Sequence, residues 1–270
     1  MYSFEETRYS INPADPLTTT PAHMHDFASI LLVSSIAFLL AGFVKGMIGM
    51  GLPTVAIGLL SVVMLPAEAA ALLVFPTIVT NIWQLAAGSN LIPLVRRLWV
   101  MLATSALATY AASGLLADTS GRATMALGIA LICYAAIGLA KVHVSTPAWT
   151  EPWLSPVIGA TTGVIAGATG VMALPAVAYF QAIGLNKEDM IQALGLSFTI
   201  SMLALAAGLA RAGAFHGSVV GASALALAPA SLGMLVGQWV RMRIQPDLFR
   251  FCFFLGLLGL GVHLTLRSLL

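Results

Sequence analysis

One basic residue lies deep inside an apolar stretch of the sequence. Lys45 belongs to the apolar run 27–65, and no Asp or Glu lies well inside any long apolar run. A charge at the centre of a bilayer costs about 3 kcal/mol on insertion scales, and such side chains usually face a cavity or a partner. With no acidic partner in the runs, a bound anion is a natural counterion. The alternative is that Lys45 lies near the interface and extends its side chain to the headgroups.

Glycines follow Lys45 closely, and a second glycine cluster occurs in the run 154–184. The first cluster is Gly46-Met47-Ile48-Gly49-Met50-Gly51, and the second is Gly167-Ala168-Thr169-Gly170. A proline comes after each cluster, as is typical of the first turn of a new helix. We therefore predict two helical pieces in each run; one long, kinked and tilted helix is the alternative. A half-helix that begins inside the membrane points its positive end and free amides at the interior.

Polar side chains after the first break share one helix face. Thr77, Asn81 and Gln84 are spaced by four and three residues. For Thr77 and its counterpart Ser197, hydrogen bonds between helices are an equally good explanation, whereas Asn81 favours a binding site. The predicted substrate-binding residues are Lys45, Gly46, Gly49, Gly51, Thr54, Thr77, Asn81, Gln84, Gly167, Thr169, Gly170, Ser197 and Ser201.

The composition indicates what must position these residues. Of 270 residues, 59% are hydrophobic and 8% charged, and the mean hydropathy is +0.97, whereas soluble domains carry about 25% charged residues. The chain is therefore predicted to be an all-α polytopic membrane protein. Most apolar runs have the roughly 20 residues of one crossing. The runs are 27–65, 69–88, 98–117, 121–141, 154–184, 189–210, 216–240 and 248–270.

Other functional classes receive little support. The net charge of +2 and the lack of a basic run argue against nucleic acid, and no zinc-ligand spacing indicates a metal. No cofactor is expected, and no carboxylate inside the runs suggests an intramembrane enzyme. Lipid and a small anion are the expected partners. A membrane subunit that anchors another protein is the alternative, and a homodimer stays open.

The chain contains an internal repeat. Gly42, Gly46 and Gly49 recur 121 positions later as glycines, and Leu-Pro and Ala-Ala-Gly follow in both copies. We predict a polar tail at 1–26, a first transmembrane repeat at 27–141, an inter-repeat loop at 142–153 and a second repeat at 154–270. In each repeat, a glycine-broken re-entrant or V-shaped helix pair precedes three transmembrane helices.

Basic residues favour an inverted relation between the repeats. If each broken stretch returns to the face it entered, each repeat crosses an odd number of times and the second is inverted. Seven basic residues then lie on one face and four on the other, whereas single kinked crossings give six and five. Cytoplasmic loops are enriched in Lys and Arg. The prediction is therefore an inverted pair in a bacterial inner membrane, with both termini outside.

With such motifs opening both halves, the sequence resembles the sulfite exporter TauE/SafE family of bacterial membrane proteins. The resemblance is carried by residues 41–53 (AGFVKGMIGMGLP) and 163–175 (GVIAGATGVMALP) and extends over nearly the whole chain after the tail. It implies export or uptake of sulfite, sulfonates or other small organic anions. Here Met50 and Leu52 interrupt a run that is richer in glycine in the family. An inside-negative potential favours anion efflux by about 2.3 kcal/mol per charge per 100 mV.

Overall fold

The fold is all-helical in the residues described by the computed structural model, namely 21–118, 120–140, 145–213, 217–243 and 246–269. Residues 1–20 of the predicted tail lie outside these ranges, and the first helix begins within the rest of it. The α-helices are α1 Pro21–Ile48, α2 Leu52–Leu60, α3 Pro66–Ala87, α4 Leu91–Ala112, α5 Arg122–Leu139, α6 Glu151–Thr169, α7 Ala176–Ala182, α8 Lys187–Arg211, α9 Gly217–Arg241 and α10 Pro246–Arg267.

Six of these helices are long and apolar enough to cross a membrane: α3, α4, α5, α8, α9 and α10. The fold class predicted from composition is thereby confirmed: the protein is a multi-pass α-helical membrane protein. The eight apolar runs correspond to ten helices because the first and fifth runs are each divided. Helix α4 begins at Leu91, before the predicted run at 98–117. The apolar run starts only after Arg96 and Arg97, whereas the helix includes both arginines in its first two turns.

Glycine conformation divides both long runs, as predicted. Gly49 and Gly51 have φ values of 84° and 103°, and Gly170 has a φ of 74°. Side chains other than glycine are strained there, so α1 and α6 end immediately before these residues. Pro53 lies in the first turn of α2, and Pro175 directly precedes α7. The alternative of one kinked helix through each run is wrong.

Two pairs of helices make the most extensive contacts, α1 with α9 and α4 with α6. A Cβ added at Gly42 would overlap the backbone of Ala230, and one at Gly46 would overlap that of Met234. In the second pair, Gly163 and Gly167 lie in the same way against the backbone of α4. Small residues allow helices to approach this closely in a membrane. Because the contacts advance together along both chains, each pair is parallel.

Helices α3 and α8 pack on each other near the centre, and α9 supports α3 at a proline. Pro76 lies inside α3 and has no N–H to offer the carbonyl oxygen of Leu72. The Ser223 hydroxyl of α9 donates to that oxygen at 2.8 Å and accepts from the N–H of Phe75 at 3.1 Å. The backbone groups released by the proline are thus satisfied by a neighbouring helix, as a low-dielectric interior requires.

Arg97 contacts both ends of the second broken stretch. Its guanidinium contacts Glu151, the first residue of α6, at 2.5 Å and donates to the carbonyl oxygen of Ile183, just after α7, at 3.2 Å. The start of α6 and the end of α7 therefore lie at the same face of the protein. At the opposite end of the bundle, Arg267 of α10 donates to the carbonyl oxygen of Val62, just after α2.

Candidate functional site

The amine of Lys45 is buried between α1 and α3. The side chain is 2% exposed, and its Nζ donates to Oγ1 of Thr80 at 3.0 Å and to Oδ1 of Asn81. Thr80 accepts this bond because its own hydroxyl donates to the carbonyl oxygen of Pro76 at 2.7 Å. Both partners of the amine are neutral. Among the described residues the only acid–base contact within 4.0 Å joins Arg97 and Glu151.

Asn81 presents an unused donor beside this amine. Its Oδ1 faces Lys45, while its Nδ2 is buried without a hydrogen-bond partner. The hydroxyls of Thr77, one turn earlier on α3, and of Ser197 on α8 are also buried without partners. A buried donor left unpaired costs about 1–3 kcal/mol. Three such donors on two packed helices are therefore a candidate site for an oxygen-rich ligand.

Gln84 connects α3 to the first break. Its Nε2 donates to the carbonyl oxygen of Gly49 at 2.7 Å, one of the carbonyls left free where α1 ends. Gly49 itself lies against the side chain of Ile191 on α8. Gln84 thus fixes the break relative to the helix that carries Asn81, and it is a positioning group rather than a free donor.

Other predicted site residues have structural partners. Gly46 and Gly167 lie in the close crossings α1–α9 and α4–α6, which account for them without a substrate. Thr169 donates to the carbonyl oxygen of Ile165 at 2.6 Å and accepts from the N–H of Val171 at 3.1 Å, so it closes the end of α6. Ser201 shares a hydrogen bond of 3.2 Å with Ser105 of α4.

Gly51, Thr54 and Gly170 remain at the breaks, as the sequence predicts. Gly51 immediately precedes α2, and Thr54 is buried in the first turn of that helix. Gly170 lies against Ile57 of α2, so the second break contacts the first half-helix. Nothing in these contacts tests whether the thirteen residues bind a substrate, and that assignment stays a prediction.

Thr80 is the residue that sequence reasoning missed. With Thr77, Asn81 and Gln84 it completes the i, i+3, i+4, i+7 pattern of one helix face. Extending the predicted spacing by that one position would have found it. The bond to Lys45 itself needs the packing of α1 on α3, which spacing within one helix does not specify.

A cavity lies next to both breaks. It has a volume of about 320 Å³ and is lined by residues of α5, α7 and α10. Met50 of the first break and Ala173 and Leu174 of the second contribute to its wall, and the hydroxyl of Tyr134 donates to the sulfur of Met50 at 3.4 Å. Both breaks thus border one cavity.

Two interrupted helices around a buried amine and a cavity are the features expected of a secondary transporter. The model of the family "Sulfite exporter TauE/SafE" matches residues 34–264. The chain belongs to this family. Neither a curated protein nor a solved structure matches it. The resemblance inferred from the glycine motifs is therefore confirmed, and membership implies a membrane transporter of sulfite or a related anion.

Proposed function

We propose that this sulfite exporter family member exports a small oxyanion, such as sulfite, an organosulfonate or a related organic acid. The observation that carries the proposal is Lys45, a basic side chain 2% exposed whose only hydrogen-bond partners among the described residues are neutral. A basic group inside a membrane protein normally has an acidic partner or serves a transported ion. An anion would supply the missing negative charge.

The neighbouring donors suit an oxyanion. The Nδ2 of Asn81 and the hydroxyls of Thr77 and Ser197 can each donate to a sulfite or sulfonate oxygen, while Lys45 provides the charge. Because Oδ1 of Asn81 accepts the bond from Lys45, its Nδ2 stays available to donate to a bound anion. Gln84 of the same helix as Thr77 and Asn81 binds the carbonyl oxygen of Gly49 and so fixes the position of the break relative to these donors.

The repeats are proposed to be inverted, and the helix contacts support it. Helix α1 is parallel to α9 and α6 is parallel to α4, and three helices cross within each repeat. Arg97 binds both ends of the α6–α7 hairpin, so this hairpin returns to its starting face. Helix α8 then starts from the same face as α6, whereas α9, which follows α8 back across the membrane, starts from the same face as α1. The second repeat is therefore proposed to begin on the opposite face from the first.

The face that holds Arg97 is proposed to be cytoplasmic. All five tryptophans of the chain lie in the half of the bundle nearer to this face, and each is at least half exposed, as residues of a membrane interface are. They are Trp83, Trp99, Trp149, Trp153 and Trp239. Described basic residues are also concentrated there: Arg96, Arg97, Lys187, Arg241, Arg243 and Arg250, against Arg122, Arg211 and Arg267 on the other face.

This orientation places both termini outside the cytoplasm of a bacterial inner membrane. A C-terminal alkaline phosphatase fusion should then be active, and a C-terminal fluorescent protein that matures only in the cytoplasm should be dark. The reverse pattern would contradict this orientation. A homodimer stays a prediction, to be tested by cross-linking in the membrane.

Lys45→Met tests the transport site. Methionine has a similar length and suits an apolar interior, so the folded protein should persist while transport of radiolabelled sulfite or methanesulfonate into liposomes is abolished. Lys45→Arg should retain part of the rate, since the charge remains but its planar fork bonds differently. Lys187→Met makes the same exchange at an exposed lysine and should transport at the unmodified rate.

Full activity of Lys45→Met per molecule would show that Lys45 is not the counterion. If the unmodified, purified chain moves no anion in liposomes, the proposal as a whole fails. A membrane subunit that anchors a partner protein would then be the better account of the fold.

A further inference from the structure

The 320 Å³ cavity has an apolar wall and one charged residue. Arg250, at the start of α10, and Gln181, at the end of α7, supply its polar edge. The rest of the wall is largely aliphatic and aromatic, and its aromatic residues are Tyr134, Phe251 and Phe254. Lys45 and Asn81 do not line it, so the cavity is distinct from the site around the buried amine.

We propose that this cavity binds an organic anion, with its acid group on Arg250 and its apolar group against the aromatic wall. The preferred substrate is accordingly a sulfonate or carboxylate that carries an aryl or compact alkyl group, ahead of bare sulfite. This inference rests on the proposed function, because it identifies the substrate class of the same transport path.

Size and polarity support this class. The volume is at the lower end of the roughly 300–1,000 Å³ typical of pockets for small organic ligands. An anion of four heavy atoms would fill little of it and would leave most of its hydration unreplaced against an apolar wall. A sulfonate has one charge to satisfy, and its carbon substituent gains free energy from burial.

The aromatic side chains are arranged to receive a ring. Tyr134 and Phe254 pack edge to face with centroids 5.4 Å apart, and Phe253 and Phe254 are tilted at 5.0 Å. An aromatic ligand beside Tyr134 and Phe254 could pack edge to face or offset, as aromatic pairs prefer to a flat sandwich. Arg250 at the edge supplies a guanidinium that can bind two sulfonate oxygens at once.

The position of the cavity links it to the transport path. Met50, Ala173 and Leu174 belong to the two breaks and form part of its wall. Arg250 lies on the face proposed to be cytoplasmic. A ligand in the cavity therefore contacts both breaks from the side on which an exporter collects its substrate, and its contact at the first break is Met50, whose sulfur accepts a hydrogen bond from Tyr134.

Binding of tritiated benzenesulfonate to the purified full-length chain tests the inference. We expect methanesulfonate to compete at least tenfold more weakly than unlabelled benzenesulfonate, because it lacks the ring that the wall buries. Arg250→Gln should weaken both by about tenfold. Arg243→Gln, on the same face but outside the cavity and stacked on Trp239, is the matched control and should bind normally.

Ala178→Trp provides a second variant. Ala178 lines the cavity and is exposed, so a larger side chain fits without unfolding the helix. It should abolish benzenesulfonate binding, while the melting temperature and the yield of folded protein stay close to those of the unmodified chain. Equal affinities for the two sulfonates, or unaltered benzenesulfonate binding in Ala178→Trp, would overturn the inference. So would a co-purified lipid that benzenesulfonate does not displace, since the cavity would then hold an acyl chain.

Transport in liposomes separates the two proposals. If sulfite crosses while benzenesulfonate neither binds nor crosses, the substrate class is wrong and the proposed function stands. If benzenesulfonate binds as expected while no anion crosses, the proposed transport fails and the cavity remains a binding site for organic anions.

Discussion

In the first break α1 ends at Ile48, glycines with positive φ follow, and Lys45 lies one turn before. In the second break α6 ends at Thr169, a glycine with positive φ follows, and the position equivalent to Lys45 is Ala166. Both breaks lead into a short helix. They therefore share one backbone design, whereas only the first carries a basic group.

The polar residues of the following helices differ in the same way. Asn81 of α3 offers an unpaired amide beside Lys45, while its counterpart Ser201 of α8 is bonded to Ser105. Thr77 and Ser197, by contrast, are matched in sequence position and are both buried without partners. We propose that the two copies share one scaffold and that the binding chemistry lies mainly in the first copy. A substrate between the two copies would contact the amine of Lys45 on one side and the hydroxyl of Ser197 on the other.

Transferring the amine from the first repeat to the second should have the largest effect on folding and transport. In Lys45→Ala/Ala166→Lys the new lysine replaces a fully buried alanine and has no Asn or Thr counterpart at the positions that bind Lys45. An unpaired buried charge costs about 3–5 kcal/mol. We expect a low yield of folded protein by fluorescence-detected size exclusion and no transport. Transport at the unmodified rate would mean that the two breaks are interchangeable.

Alanine at the crossing glycines should affect both halves alike. In Gly46→Ala and Gly167→Ala the new Cβ meets the backbone of the partner helix, which cannot rotate away. Overpacking of this kind costs about 1–3 kcal/mol, so both variants should melt several degrees lower. Gly221→Ala, with open space around the position, is the control and should melt normally. A loss of transport at unchanged melting temperature in Gly46→Ala alone would instead favour direct substrate contact.

Alanine at Asn81 and at Ser201 should have the smallest effects on stability, and the two variants should differ clearly in transport. Asn81→Ala removes a partner of Lys45 and a free donor, so transport per molecule should fall about tenfold or more. Ser201→Ala breaks one neutral hydrogen bond, which contributes about 1 kcal/mol, and should change only the melting temperature. Equal transport defects in both variants would place Ser201 in the binding site too.

Much of the architecture was predictable from local patterns. Run length and composition specify membrane helices because lipid tolerates few charges and no unpaired backbone. Gly49 and Gly170 mark the breaks because positive φ is costly for any other residue. The family was recognisable because these motifs occur twice, around Lys45 and again 121 positions later.

The site was predictable only in part. Lys45 and Asn81 stood out as polar groups in apolar runs, but nothing local distinguishes a glycine that packs, such as Gly167, from one that lines a path. The same holds for Ser201, whose partner Ser105 lies 96 positions away. Nothing in the sequence marks Arg250 as a binding residue, because an arginine at a helix end is ordinary in a membrane protein.

The sequence by itself determined which segments are helical, where two of them break, and that one amine lies inside an apolar run. Only the tertiary structure decided what meets that amine, which donors remain unpaired, and which residues enclose a cavity. The physical reason is the separation along the chain of the residues on which each property depends. Backbone conformation and burial in lipid depend on neighbours within a few residues, whereas a buried hydrogen bond such as that from Lys45 to Thr80 depends on how separate helices pack.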